Sequence, residues 1–196
     1  MLTKITTQLR EARASDDLEF IRHFMEHAVR FNAVPGVGLM LMGASAVAAA
    51  GIAAVAPPHL WLAIWVSDAF LAFAVGLCTM FAKARSVNMP INSRSGQSFV
   101  LSFAPPILVG IVATIGVVGR GAEELLPAVW LSLYGLAAVT AGAFSVRLVS
   151  IMGAVVLSVG CVAFLAPTLS ADVLMVIGFG AAHLGFGAAI ARRHGG

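Results

Sequence analysis

Apolar residues run in blocks along most of this chain, and polar residues gather at the block edges. Six blocks approach the roughly 20 residues that a bilayer-crossing helix needs. They cover about Val34–Val55, His59–Phe81, Ser98–Val118, Pro127–Val146, Leu148–Leu165 and Ala171–Ala191. Pro57-Pro58 ends the first, Lys83 and Arg85 bound the second, and Arg147 closes the fourth. Before the first block the pattern changes to a helical period. From Leu18 onward, Phe20, Ile21, Phe24, Met25, Ala28, Val29 and Phe31 fall on one half of a helical wheel. Glu19, Arg22, His23, Glu26 and Arg30 fall on the other, with His27 at the border. The pairs Glu19/His23, Arg22/Glu26 and Glu26/Arg30 support that helix at i,i+4 spacing. The predicted fold is all-α: a polytopic membrane protein with six transmembrane helices. A cytoplasmic amphipathic helix (1–33) is expected to lie in the membrane interface or to pack under the bundle (34–196).

Composition agrees with the pattern. Of the 196 residues 60% are hydrophobic and 11% charged, against about a quarter charged in an average soluble domain. The charge is concentrated in residues 1–30, so the pI near 9.4 reflects topology and does not imply a nucleic-acid partner. No cleavable signal peptide is expected from the long polar start. With the N-terminus in the cytoplasm, all of the 12 lysines and arginines except Arg120 lie inside. The C-terminus is then cytoplasmic too. Cys78 and Cys161 fall inside apolar blocks and read as packed thiols. The third block contains Pro105-Pro106, which predicts a kink. Ser102 stands nearby to help satisfy a freed backbone group.

Candidate chemistry sits in three places. His23–Phe24–Met25–Glu26–His27 spells H-x-x-E-H, a zinc signature of inverted metalloproteases. Its third ligand would be a downstream carboxylate. The topology puts Asp68 in mid-membrane and Glu123, Glu124 and Asp172 on the opposite side, so no metal site is expected at His23, Glu26 and His27. The second place is inside the bundle, where ionisable residues are costly. Asp68 has Trp61 and Trp65 on its helical face, and His183 lies at a similar depth on a parallel span, so the two form a candidate proton relay or ligand site. The bland reading gives His183 a backbone carbonyl, and gives Asp68 a hydroxyl such as Ser67 or Tyr134. The third place is the last block, where Gly180 and Gly187 flank His183 and leave space beside the imidazole. Ala181, Gly185 and Ala189 form a small-residue packing stripe, and Gly36, Gly38 and Gly43 do similar work in the first block. A haem or chlorin at His183 is a further expectation, with His59 a poor second ligand.

Two resemblances add to this. Ala182-His183-Leu184-Gly185 looks like the histidine segment of rhomboid proteases. However, the fourth block lacks the serine turn that family needs: Ser145 is off pattern, and Gly43-Ala44-Ser45-Ala46 is on the wrong span. The chain also resembles a group of bacterial six-span membrane proteins of unassigned activity. The likeness rests on Met25-Glu26-His27-Ala28 with Phe31, on Gly36 to Gly43, on Gly178, Phe179, Gly180, His183 and Gly187, and on the tail from Arg192 to Gly196. It implies an unassigned function; the expected location is the bacterial inner membrane. It also sets an arginine-like position at His27, which argues against zinc. The leading expectation is a non-enzymatic subunit or scaffold of a membrane assembly, partnered by lipid and by copies of itself or other subunits. A proton-coupled small-molecule carrier or sensor is the alternative.

Overall fold

A computed structural model describes residues 33–86, 93–166 and 168–194. The amphipathic segment with His23, Glu26 and His27 lies outside the described residues. Within them the protein is all-helical, without strands. The helices are α1 (Gly36–Val55), α2 (Trp61–Ser86), α3 (Arg94–Val118), α4 (Leu126–Gly142) and α5 (Arg147–Leu165). A last helix follows, built from α6 (Ala171–Met175), a π-helical turn (Val176–Ala181) and α7 (Ala182–His194). Six helices among the described residues are thus long and apolar enough to cross a membrane.

The helix limits differ from the hydropathy edges in instructive ways. α2 runs on through Lys83 and Arg85 to Ser86. Lys83 does not stop the helix, because its ammonium is buried and donates to the Val34 carbonyl at 3.0 Å. α3 already starts at Arg94, where the Ser93 hydroxyl accepts from the Gly96 N–H as an N-cap. α4 stops at Gly142, short of Val146, because two tight-turn bonds follow, from the Phe144 N–H to Ala141 and from the Ser145 N–H to Gly142.

The order of packing is α2, α1, last helix, α5, α4, α3. Four helices form the centre and α2 and α3 flank it. α3 buries only Gly96, and α2 only Trp65, Lys83 and Ala84. Large apolar side chains such as Phe70, Phe73, Leu101 and Val112 stay exposed on these two helices.

Glycines set two close backbone contacts. α1 and the last helix run antiparallel with Gly36 against Gly187 and Gly43 against Gly180. A methyl carbon added at Gly43 would lie 2.8 Å from the Gly180 carbonyl oxygen, and one at Gly187 would lie 2.8 Å from that of Gly36. α4 and α5 repeat the device. Added carbons would lie 2.7 Å from the Leu157 Cα at Gly135, 2.9 Å from the Ser150 Cα at Gly142, 2.8 Å from the Ala138 carbonyl carbon at Gly153, and 2.9 Å from the Ser132 Cα at Gly160. In all four helices the two glycines stand seven residues apart, which is two turns, so both face the same neighbour. Close backbone approach of this kind maximises van der Waals contact where lipid removes the hydrophobic drive.

The small-residue stripe read from the last block is therefore misplaced. Gly185 faces outward with nothing within 4 Å of an added carbon, and Ala181 is exposed. Gly180 and Gly187 do not leave room beside the imidazole. α1 fills that room, with Val47 2.8 Å from an added carbon at Gly180. Cys78 and Cys161 are free and exposed, not packed.

Candidate functional site

His183 is the most enclosed of the charged and histidine side chains among the described residues, 1% exposed. The π-helical turn sets its partners. An α-helical residue stacks over the residue four before it, whereas the wider turn brings the Gly178 carbonyl, five residues back, to 3.3 Å from Nδ1. A carbonyl only accepts, so Nδ1 carries the proton and Nε2 of the neutral ring is an acceptor. The Tyr134 hydroxyl of α4 donates to Nε2 at 2.6 Å. Both ring nitrogens are thus used.

Aromatic rings continue outward from this pair. Phe179 meets the Tyr134 ring edge-on at 5.2 Å, and Phe103 of α3 does the same at 5.9 Å. Phe99 stacks on Phe103 at 6.0 Å. Edge-to-face contacts of this kind hold a ring's orientation beyond what its burial gives.

The chemistry follows from the bonding. A proton arriving at the Tyr134 oxygen lets the phenolic proton pass to Nε2, which makes an imidazolium. Nδ1 cannot hand its own proton on, because it faces a backbone carbonyl that keeps none. The pair can therefore take up and return a proton on the Tyr134 side, but it is not a through-wire.

Asp68 and His183 do not partner each other. α1 lies between their helices, and Asp68 stands beside Ser45 of α1. The Ser45 hydroxyl also lies 2.9 Å from the Met42 carbonyl. Two details of the sequence reading change with this. The hydroxyl beside Asp68 comes from α1, not from Ser67 or Tyr134, and Tyr134 belongs to His183.

Trp65 and Trp61 do not serve Asp68 either. Both indole N–H groups donate to Oδ1 of Asp172 at the start of the last helix, at 3.2 Å and 2.8 Å. Trp61 also stacks on Trp130 of α4 at 5.8 Å and 6°. Trp130 donates to the Thr114 hydroxyl of α3 at 2.8 Å, and Thr114 donates on to Gly110 at 2.7 Å. One carboxylate and three tryptophans so tie α2, α3, α4 and the last helix together at one end. Sequence reasoning missed Asp172 as their acceptor. The available signal was the carboxylate that opens the last block, at the same end as three indole donors.

A haem or chlorin on His183 does not fit these residues. The metal would have to displace Tyr134 from Nε2, and the macrocycle would need the space α1 holds against Gly180 and Gly187. His59 stands in the short turn Pro58–Leu60, at the tryptophan end. Among the described residues no three His, Cys, Asp or Glu side chains gather as a metal site.

No family model matches the chain, and neither the curated proteins nor the solved structures yield a match. What defines the class is the architecture itself: a helical bundle of six long apolar helices.

Proposed function

We propose that this chain is an integral protein of a bacterial inner membrane, acting as a subunit or scaffold of a membrane assembly. One observation carries the reading. Lys83, His183 and Asp172 are bonded inside the chain: Lys83 to Val34, His183 to Tyr134 and Gly178, and Asp172 to Trp61 and Trp65. A transport path needs polar groups left over to meet a substrate, whereas these groups are spent on holding helices together. The exposed apolar faces of α2 and α3 then supply the surface that meets lipid and neighbouring subunits. No catalytic constellation enters this reading, and the N-terminal amphipathic helix would lie at the cytoplasmic face.

The test is native extraction in mild detergent followed by mass spectrometry of the intact particle. The expected result is a particle larger than the 20.2 kDa chain, with a second copy or another subunit in fixed ratio. A particle holding one chain and only lipid or detergent rejects the scaffold reading.

A second reading has its own support in the Tyr134–His183 pair, whose bonding allows reversible proton uptake. On that reading the protein is a proton-coupled carrier or sensor, with Tyr134 in the place first given to Asp68.

A further inference from the structure

The glycine seam between α1 and the last helix stops short of the tryptophan end. Gly36 faces Gly187 and Gly43 faces Gly180. The same antiparallel register, one step of seven further on, sets Ala50 against Val173. Neither is a glycine, and the side chains at this third position do not close the gap. A cleft of about 320 Å³ lies there, lined by Val47, Ala50 and Gly51 of α1 and by Asp172, Val173 and Ile177 of the last helix. That volume is at the lower end for small-ligand sites. The cleft is open at its side: Val47 is 42% exposed, Val173 55% and Ile177 44%. A carbon added at Gly51 meets nothing within 4 Å.

Among these residues Asp172 alone is polar. Its tie to Trp61 and Trp65 uses one oxygen, Oδ1, which takes both indole N–H groups. Among the described residues no donor and no basic side chain is bonded to Oδ2. The Ser132 hydroxyl is the only buried side-chain oxygen or nitrogen among them that lacks a partner, so Oδ2 is accessible. Asp172 stands in the first turn of the last helix, and Gly51 one turn before the end of α1, so the carboxylate lies at the mouth of the cleft. Tryptophans gather at the headgroup level of a bilayer. An apolar cleft with an acceptor oxygen at that depth matches an amphiphile with an apolar chain and a cationic, proton-donating head.

We infer that this cleft seats a membrane lipid whose head group ends in a primary ammonium. The ammonium donates to Oδ2 of Asp172, and an acyl chain lies over Gly51 between Val47 and Ile177. Such a charge-assisted hydrogen bond is stronger than a neutral one, and a quaternary ammonium has no N–H to give. With the lipid on one oxygen and two indoles on the other, Asp172 joins the head group to the tryptophan cluster. The oxygen lies at the mouth of the cleft and not along a path across the bundle. The inference rests on the membrane reading above, and on neither the scaffold nor the carrier reading.

The full chain would be placed in nanodiscs of phosphatidylethanolamine and phosphatidylcholine in equal amounts, with identical acyl chains. Native mass spectrometry then counts the lipids that stay on the protein. The wild type retains the ethanolamine lipid over the choline lipid by about tenfold, the equivalent of one charge-assisted hydrogen bond. Asp172→Asn keeps a carbonyl oxygen for the indoles and puts an amide nitrogen in place of Oδ2, so the preference falls to near parity. Gly51→Leu fills the cleft from an open position, which spares folding, and lowers retention of both lipids. Equal retention of the two heads by the wild type overturns the ammonium assignment. An unchanged preference in Asp172→Asn overturns the role of the carboxylate. Wild-type retention in Gly51→Leu overturns the cleft, and so does a wild-type dimer that Gly51→Leu splits, since a second copy then covers it. A wild type that takes up neither lipid overturns the membrane reading as well, which separates the two failures.

Discussion

Tyr134 and His183 show how much one hydroxyl decides. Tyr134→Phe keeps the ring contacts with Phe103 and Phe179 but leaves Nε2 buried and without a donor. The expected cost is about 1–3 kcal/mol, read as a lower unfolding midpoint of the purified protein in detergent. In proteoliposomes the same variant separates the two functional readings: the carrier reading requires loss of proton-linked flux, and the scaffold reading requires none. At this scale the sequence told part of the story. It marked His183, Asp68, Trp65 and Tyr134, because ionisable and aromatic groups inside apolar runs stand out. It did not tell who partners whom. Helical-wheel position put Trp61 and Trp65 beside Asp68, but indoles are long, and they reach past their own helix to Asp172. A face shared on one helix says little about a partner on another.

The helices themselves were legible from hydropathy, with ends uncertain where a charged residue could be buried on a carbonyl, as at Lys83. Their pairing was written in the chain less openly. Glycines seven apart occur at Gly36/Gly43, Gly135/Gly142, Gly153/Gly160 and Gly180/Gly187, and these four pairs form the two seams. The chain shows no internal repeat in the usual sense, so the spacing is visible only when glycines are followed alone. Gly185 lies between seam positions and contributes nothing to them. The contrast is testable. Gly153→Val places a branched side chain against the backbone of Ala138 and Val139 and should cost several kcal/mol, since α4 must move away. Gly185→Ala meets open space and gains helix propensity of up to about 1 kcal/mol. Detergent unfolding midpoints of the two variants should therefore move in opposite directions.

Over the whole bundle, the two ends differ in kind. Trp61, Trp65, Trp130, Asp172, Arg120, Glu123 and Glu124 lie toward one end. Lys83, Arg85, Arg94, Arg147, Arg192 and Arg193 lie toward the other. On the proposed inner-membrane reading, the basic-residue bias would turn the tryptophan end outward. Membrane-impermeant maleimide on intact cells should label Glu123→Cys and leave Arg94→Cys untouched, both in a Cys78→Ala, Cys161→Ala background. The reverse pattern inverts the topology. The helical bundle was legible because composition alone dictates it. The packing order was not, since six similar helices admit many arrangements until the glycine seams and the tryptophan cluster choose one.

The seam between α1 and the last helix also sets a timetable. α4 and α5 are consecutive and close their glycine contact as soon as both have been made. α1 must wait for the last helix, through the synthesis of everything between them. During that interval its grooved face, Gly36 and Gly43, lacks its partner and is open to any other helix that fits. The last of the described helices is thus the one that completes the first of them, and a ribosome stalled before Ala171 would leave α1 without its mate.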